Sequence, residues 1–189
     1  MEIELKTIFT ECELDRFLQS RFFTERVKVG SEQVLQLTSV YYDTYDFALQ
    51  KQGSVYRVRT TQFADGHKEY ESTTKRTVTK NGGIAEREEI NEQQENALPK
   101  LPDVQEIFRT EVTRKIYYLE YGHALFEMAI DRGKIVAVNG RMEAIDEVEF
   151  EVKTGGVEDL ENLRRALHRV ADFQEEEKSK YARGVALLR

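Results

Sequence analysis

The sequence has no tryptophan, one cysteine and three histidines among its 189 residues. Because the single Cys12 cannot form an internal disulfide, the sequence predicts a protein of a reducing compartment, the cytoplasm. His67, His123 and His168 lack the spacing of a zinc site. Any bound metal is therefore expected to be held by carboxylates, which favours Mg²⁺ or Mn²⁺.

Long apolar runs are also missing. No segment approaches the roughly 20 apolar residues of a membrane helix, and no basic and then apolar leader opens the chain, so no membrane association is predicted. The net charge of −7 disfavours binding to duplex nucleic acid, because proteins that bind it are usually basic. The 10 Phe and 9 Tyr indicate a folded chain, and its length predicts one domain, residues 1–189.

Hydrophobic periodicity and turn residues predict many consecutive strands and two helices. The strands are predicted at 1–9, 34–43, 54–63, 67–78, 84–90, 111–121, 124–131, 134–138 and 145–153. Helices are predicted at 11–21, where Thr10 and Glu13 form a capping box, and at 157–172. Residues 91–108 are expected to carry short helices, and residues 173–189 a last strand. This α+β pattern favours a closed antiparallel β-barrel with a few flanking helices.

Charged residues recur at every second position in at least five of these strands, and so share one face of each strand. The sets are Glu2/Glu4/Lys6, Arg57/Arg59, Glu71/Lys75, Arg87/Glu89, Glu127/Asp131 and Glu147/Glu149/Glu151/Lys153. Faces of this kind are often simply solvated. However, like charges two residues apart repel each other, which a solvated surface does not require. The pattern therefore favours an inward orientation.

The interior of an eight-stranded barrel is wide enough for side chains or for one small ligand. Charges placed there need partners, because isolated buried charges are very costly. Clustered carboxylates favour a divalent cation, and clustered Arg and Lys favour phosphate. The ligand that satisfies both sets is a metal-bound polyphosphate.

These residues belong to motifs that resemble the CYTH family, also called triphosphate tunnel metalloenzymes. The motifs are ExExK at 2–6, YYDT at 41–44, YRVR at 56–59, STTK at 72–75, REEI at 87–90, TRK at 113–115, AIDRG at 129–133, EVEFEVKTG at 147–155 and KSKYARG at 178–184. Together they span almost the whole chain. The last motif is most similar to that of the bacterial inorganic triphosphatases, and the PRSYR-like ending of the adenylate cyclase branch is absent. Ile116 stands where relatives often have a second basic residue.

The resemblance implies an antiparallel eight-stranded tunnel that acts on triphosphates with a divalent metal. Phosphate would be bound by Lys6, Arg57, Arg59, Lys75, Arg87, Arg114, Lys180 and Arg183, although Arg183 could instead cap the fold. Mg²⁺ or Mn²⁺ would be held by Glu2, Glu4, Asp131, Glu147, Glu149 and Glu151. Glu2, Glu4, Lys6 and Lys75 are expected to be catalytic. Glu89 is expected to orient Arg87 or Arg59.

The substrate predicted from this resemblance is inorganic triphosphate. The alternatives are a thiamine, nucleoside or RNA 5′-triphosphatase, an adenylate cyclase, and a polyphosphate- or nucleotide-binding module without activity. An organic head group would need an aromatic or apolar pocket at a tunnel mouth. The lack of tryptophan favours inorganic triphosphate on this ground, and Tyr41 and Tyr42 are expected to pack in the fold. Both a monomer and a homodimer are compatible with the sequence.

Overall fold

The computed structural model describes residues 1–189, except for the side chain of residue 77. Eight long strands are β1 (Glu2–Ile8), β2 (Gln33–Thr44), β3 (Ser54–Gln62), β4 (Lys68–Asn81), β5 (Ile84–Gln94), β6 (Val104–Tyr121), β7 (Ala124–Ala137) and β8 (Met142–Thr154). They follow the order β5-β4-β3-β2-β6-β7-β8-β1, and β1 also pairs with β5. All of these pairings are antiparallel. The predicted closed α+β barrel is therefore confirmed.

Five helices and one short strand accompany the barrel in the described backbone. They are α1 (Glu11–Gln19), α2 (Arg21–Thr24), α3 (Ala48–Lys51), α4 (Val157–Leu167), β9 (Gln174–Glu175) and α5 (Lys180–Ala186). Thr10 begins α1 as predicted, with its side chain accepting a hydrogen bond from the backbone N–H of Glu13 at 3.3 Å. The predicted helix 11–21 is divided at Ser20, which ends α1 and caps α2. None of the described helices is long and apolar enough to span a bilayer.

Three predictions about local structure were wrong. Residues 91–108 form no helix, because β5 continues to Gln94 and β6 starts at Val104, with the prolines in the connection. The predicted strands 124–131 and 134–138 are one strand. Gly133 lies within it, where β6 comes so close that a Cβ would lie 2.0 Å from the Glu111 carbonyl oxygen. The tail ends in α5 rather than in a long strand, because Ser179 caps a helical turn by accepting from the N–H of Ala182 at 3.1 Å.

The hydrophobic core lies outside the barrel wall. Helices α1 and α4 cover the outward faces of β1, β7 and β8, where Phe17, Leu160, Leu5, Phe126 and Phe150 are all buried. A second cluster beneath α5 contains Phe108, Ile135 and Val185. Since the apolar side chains face the helices, period-two alternation turns the charged side chains of the same strands inward.

Candidate functional site

A cavity of about 570 Å³ lies inside the barrel. Most of the residues predicted for the site line it: Glu2, Glu4, Lys6, Arg57, Arg59, Lys75, Arg87, Glu89, Arg114, Glu149, Glu151 and Lys180. Asp131, Glu147 and Arg183 are not in the lining. They are buried behind it, with 0%, 1% and 9% of their surface exposed. The structure therefore brings the predicted residues together in one charged cavity and its wall.

Strand pairing determines which charges become neighbours. Lys6 of β1 lies opposite Glu149 of β8, and Glu4 lies opposite Glu151. On the other edge of β1, Glu2 lies opposite Arg87 of β5. Strand β1 closes the barrel by pairing with β8 on one edge and with β5 on the other. It thus brings the inward glutamates of β8 near Arg87 and Glu89 of β5.

One group of ion pairs surrounds the first strand. Lys75 Nζ lies 3.2 Å from Glu2 Oε2 and also contacts Glu89, its direct partner across β4 and β5. Arg87 contacts Glu4 and lies 3.5 Å from Glu2. The structure thus pairs Glu89 with Lys75 rather than with Arg87 or Arg59, the partners expected from the sequence.

Burial shapes the protonation of this group. Burial disfavours the ionised form of Glu2, but Lys75, Arg87 and Arg57 outweigh it and lower the Glu2 pKa. Burial, together with repulsion from Arg57, lowers the pKa of Lys75 to about 7, although Glu2 and Glu4 oppose this shift. Glu2 is therefore held ionised, whereas Lys75 can lose its proton near neutral pH.

A second group of ion pairs lies under the start of α5. Lys180 Nζ lies 2.8 Å from Asp131 and 2.9 Å from Glu149, and it also contacts Glu147. Arg114 donates to both oxygens of Asp131, at 2.7 and 2.6 Å, and to Glu149 at 2.6 Å. Asp131, Glu147 and Glu149 each place a carboxylate oxygen within 4.8 Å of the others. Three acids thus converge around two basic side chains.

These acids differ in protonation because their partners differ. Burial opposes the ionisation of Glu149, but Lys180 and Arg114 hold its pKa well below the usual value. Burial also opposes the ionisation of Asp131, but Arg114 and, less strongly, Lys180 lower its pKa. Burial dominates at Glu147 and raises its pKa, although Lys180 opposes the shift.

Arg183 lies behind this cluster. Its Nε donates to Glu143 at 2.6 Å, its Nη1 donates to Glu147 at 2.9 Å, and its Nη2 donates to the carbonyl of Ala144. These partners belong to β8, and Arg183 does not line the cavity. Of the two roles considered from the sequence, its position corresponds to capping the fold.

Arg57 and Arg59 differ from the other cationic residues of the site. Among the described side chains, no carboxylate lies within 4.0 Å of either guanidinium. The buried Nε of Arg57 has no hydrogen-bond partner in the described part of the chain, and Arg59 Nε donates to Ser39 at 3.1 Å. Burial, with repulsion from Arg57 and Arg114, lowers the pKa of Arg59 to about 10. Arg57 is buried and the adjacent Arg59 is partly buried. Two such cations without a carboxylate partner among the described side chains are suited to an anionic ligand.

Several lining residues were not assigned to the site from the sequence, among them Glu71, Glu127 and Lys153. Lys153 lies 2.9 Å from Glu151 and 3.3 Å from Glu127, whose carboxylate also accepts from Tyr118 at 3.1 Å. The signal for them was available, since all three lie on the same period-two faces as the assigned residues. Tyr41 packs as expected, with its ring stacked 4.4 Å from that of Phe108, but it also lines the cavity, as Tyr181 does.

The cavity and its wall fit a divalent cation with oxygen ligands. Glu2, Glu4, Glu149 and Glu151 offer carboxylates to the cavity, and the cluster of Asp131, Glu147 and Glu149 could hold an ion. No histidine or cysteine is among the lining residues of the described chain. This donor set suits Mg²⁺ or Mn²⁺ rather than a softer metal.

Comparison with known proteins agrees with the family resemblance inferred from the sequence motifs. The sequence matches the CYTH domain over residues 1–185. The chain belongs to the CYTH family. It is 32% identical to the inorganic triphosphatase of Haemophilus influenzae in an alignment 205 residues long. The alignment covers 98% of this chain and 54% of that protein. The chain thus spans about half the length of this CYTH relative.

Solved structures share the CYTH barrel. The PH1819 protein of Pyrococcus horikoshii matches with a TM-score of 0.69 at 19% identity, covering 98% of this chain and 99% of its own. HpAC1 of Hippeastrum, named as an adenylyl cyclase candidate with a dominant triphosphatase activity, also has a TM-score of 0.69, at 15% identity and over 98% and 96% of the two chains. At these identities the similarity establishes the fold.

Proposed function

We propose that this protein hydrolyses a phosphoanhydride bond of inorganic triphosphate inside the barrel, with Mg²⁺ or Mn²⁺ as its cofactor. The observation that carries this proposal is the position of Arg57 and Arg59. Both lie in a cavity otherwise rich in ion pairs, yet neither has a carboxylate partner among the side chains that the structure describes. The inorganic triphosphatase relative supports the choice of substrate.

The basic residues bind and position the three phosphoryl groups. Arg57 and Arg59 bind phosphate oxygens first, because neither arginine has to break an ion pair with a carboxylate to do so. Lys6, Lys75, Arg87, Arg114 and Lys180 complete the cradle around the triphosphate. Positioning and charge neutralisation supply most of the catalysis in phosphoryl transfer, so that little covalent chemistry is required of the protein.

The acidic residues hold the cation. Glu2, Glu4, Glu149 and Glu151, which line the cavity, would bind it there, and Asp131 and Glu147 would bind it from the wall. When bound, Mg²⁺ or Mn²⁺ would neutralise charge on the phosphoryl oxygens and favour ionisation of a bound water. Lys75 Nζ lies beside Glu2 and Glu89, and in its protonated form it can donate from there to a phosphoryl oxygen.

An organic triphosphate is the second candidate substrate. Tyr41 and Tyr181 line the cavity together with Gln50, Gly53 and Val55. This uncharged wall is the aromatic and apolar surface that a nucleoside or thiamine head group would need. A binding module without catalysis would not require the carboxylates that the cavity retains.

Phosphate release from inorganic triphosphate, ATP and thiamine triphosphate tests these candidates. Each substrate is incubated with Mg²⁺, with Mn²⁺ and with EDTA, and cyclic AMP is measured in the ATP reaction. We expect metal-dependent release that is fastest from inorganic triphosphate and much reduced in Arg57→Gln. The matched control is Arg109→Gln, since Arg109 lies outside the cavity and pairs with Glu111 at 2.9 Å. Tight triphosphate binding without release from any substrate would contradict the enzymatic function.

A further inference from the structure

Lys180 occupies the position of a cation among three acids. Its ammonium lies 2.8 Å from Asp131 and 2.9 Å from Glu149, and it contacts Glu147. These are the same three residues whose carboxylate oxygens converge within 4.8 Å of one another. Lys180 also lines the cavity, so that a phosphate there can reach the same ammonium.

The helix that carries Lys180 is held by other contacts. Arg183 is bound to Glu143 and Glu147 on β8. Gly184 packs against the Phe108 ring so closely that a Cβ would lie 2.4 Å from it. Because these contacts do not involve Lys180, its flexible side chain can exchange partners while α5 stays in place.

We propose that Lys180 is a tethered counter-ion that competes with the divalent cation for the acidic cluster and is withdrawn from it by triphosphate. This inference rests on the proposed function, because it takes triphosphate and Mg²⁺ or Mn²⁺ as the two ligands. It assigns Lys180 a role beyond phosphate binding, since Lys180 sets the affinity for the cation when no anion is present.

The energetic reason is the cost of an unpaired buried charge. A cation entering alone would displace the ammonium of Lys180 and leave it without a partner. An anion entering alone would draw Lys180 and Arg114 away and leave Asp131 and Glu149 unpaired. When both ligands enter, the phosphates pair with the basic side chains and the cation pairs with the acids. The two ligands therefore strengthen each other's binding, and this coupling is reciprocal.

Arg57 provides the contrast. It lines the same cavity, but among the described side chains it has no carboxylate partner to release. Its removal should weaken anion binding and change the cation affinity of the protein less than the removal of Lys180 does. Arg57→Gln thus controls for the general loss of one positive charge from the cavity.

The first experiment measures Mn²⁺ binding in the absence of any anion. The electron paramagnetic resonance signal of free Mn²⁺ reports how much of the ion is bound. We expect Lys180→Gln to bind Mn²⁺ about tenfold more tightly than the wild type, in the range typical of coupled sites. Lys180→Arg, which keeps the charge, should stay near the wild-type affinity, and Arg57→Gln should raise the affinity less than Lys180→Gln does. An unchanged or weaker Mn²⁺ affinity in Lys180→Gln would overturn the proposal.

The second measurement is calorimetric binding of inorganic triphosphate in EDTA. Glu149→Gln frees Lys180 and Arg114 from one acid, so we expect it to bind triphosphate several-fold more tightly, about fivefold or more. Weaker binding would contradict the counter-ion role. If Lys180→Gln does not fold, Glu149→Gln still decides the question. Neither measurement involves hydrolysis, so wild-type phosphate release separately decides the proposed function.

Discussion

Arg183 donates from Nη1 to Oε2 of Glu147 at 2.9 Å, and this bond joins α5 to β8 behind the cavity wall. Both side chains are almost fully buried, with 10% and 1% of their surfaces exposed. Glu147 also contacts Lys180. Arg183 therefore fixes both the helix that presents Lys180 and one of the acids that Lys180 contacts.

We expect Arg183→Gln to lower the free energy of unfolding by about 3 kcal/mol, because it leaves a buried carboxylate without one of its partners. Urea denaturation followed by circular dichroism measures this change. In the control Arg16→Gln, the pair with Glu13 lies at the surface and its loss should cost less than about 1 kcal/mol. If Arg183→Gln unfolds like the wild type but loses affinity for triphosphate, Arg183 binds phosphate as the resemblance implies.

The barrel could be predicted because its information is local. Alternation with period two assigns a face to every charged residue of a strand, and turns such as Asp65–Gly66 mark the hairpins. Glu2 and Glu4 could therefore be placed inside from the sequence pattern. The order of the strands, in which β1 lies between β8 and β5 and β2 pairs with β6, was not predicted, because it depends on pairings that are distant in the sequence.

Ion-pair partners could not be predicted, because they depend on side chains that are distant in the sequence. Arg183 meets Glu143 and Glu147 only after α5 folds back on β8. Glu89 meets Lys75 through the exact register of β4 and β5, which a hydrophobic pattern does not determine. The continuity of β7 was missed because Gly133 marks a close approach of strands rather than a turn.

Glu4→Gln should reduce turnover of triphosphate on the order of 100-fold, because it removes a charge from the proposed cation site at a preorganised centre. The amide is nearly isosteric with the carboxylate and can still accept from Arg87, so the fold should persist. Steady-state phosphate release gives kcat, and circular dichroism verifies folding. Glu120→Gln is the control, since Glu120 is exposed and pairs with Lys28 on the surface. Wild-type turnover in Glu4→Gln would exclude β1 from the reaction centre.

The pH dependence of stability should depend in part on Glu175, which lies away from the cavity. It accepts from Arg164 Nη2 and from the Gly83 N–H, both at 2.9 Å, and lies 3.2 Å from His168 Nε2. Burial opposes its ionisation, but the hydrogen bonds from Arg164 and Gly83 prevail and lower its pKa below the ordinary 4.5. Because the folded-state pKa is the lower one, its contribution to stability is complete above the ordinary value and is lost as the pH falls through the folded value.

Glu175→Gln should therefore destabilise the protein at pH 7 by about 1–3 kcal/mol, as expected for hydrogen bonds to a charged group. The difference from the wild type should shrink as the pH falls below 4.5, the ordinary pKa of the group. Urea unfolding at a series of pH values measures it. In Glu177→Gln, the lost partner is Lys80 at 3.7 Å on the surface, and no such trend is expected. A constant difference for Glu175→Gln would show that its charge is not what stabilises the fold.

Gly133→Ala tests the close approach of β6 and β7. A Cβ at this position would lie 2.0 Å from the Glu111 carbonyl oxygen and 2.8 Å from the Cα of Val112. Because backbone atoms cannot move aside as a flexible side chain can, we expect a loss of about 3 kcal/mol in the free energy of unfolding, or failure to fold. The control is Gly156→Ser, where a Cβ meets nothing within 4 Å and serine is favoured at the start of α4. Wild-type stability in Gly133→Ala, measured by urea denaturation, would mean that the two strands lie further apart than this register places them.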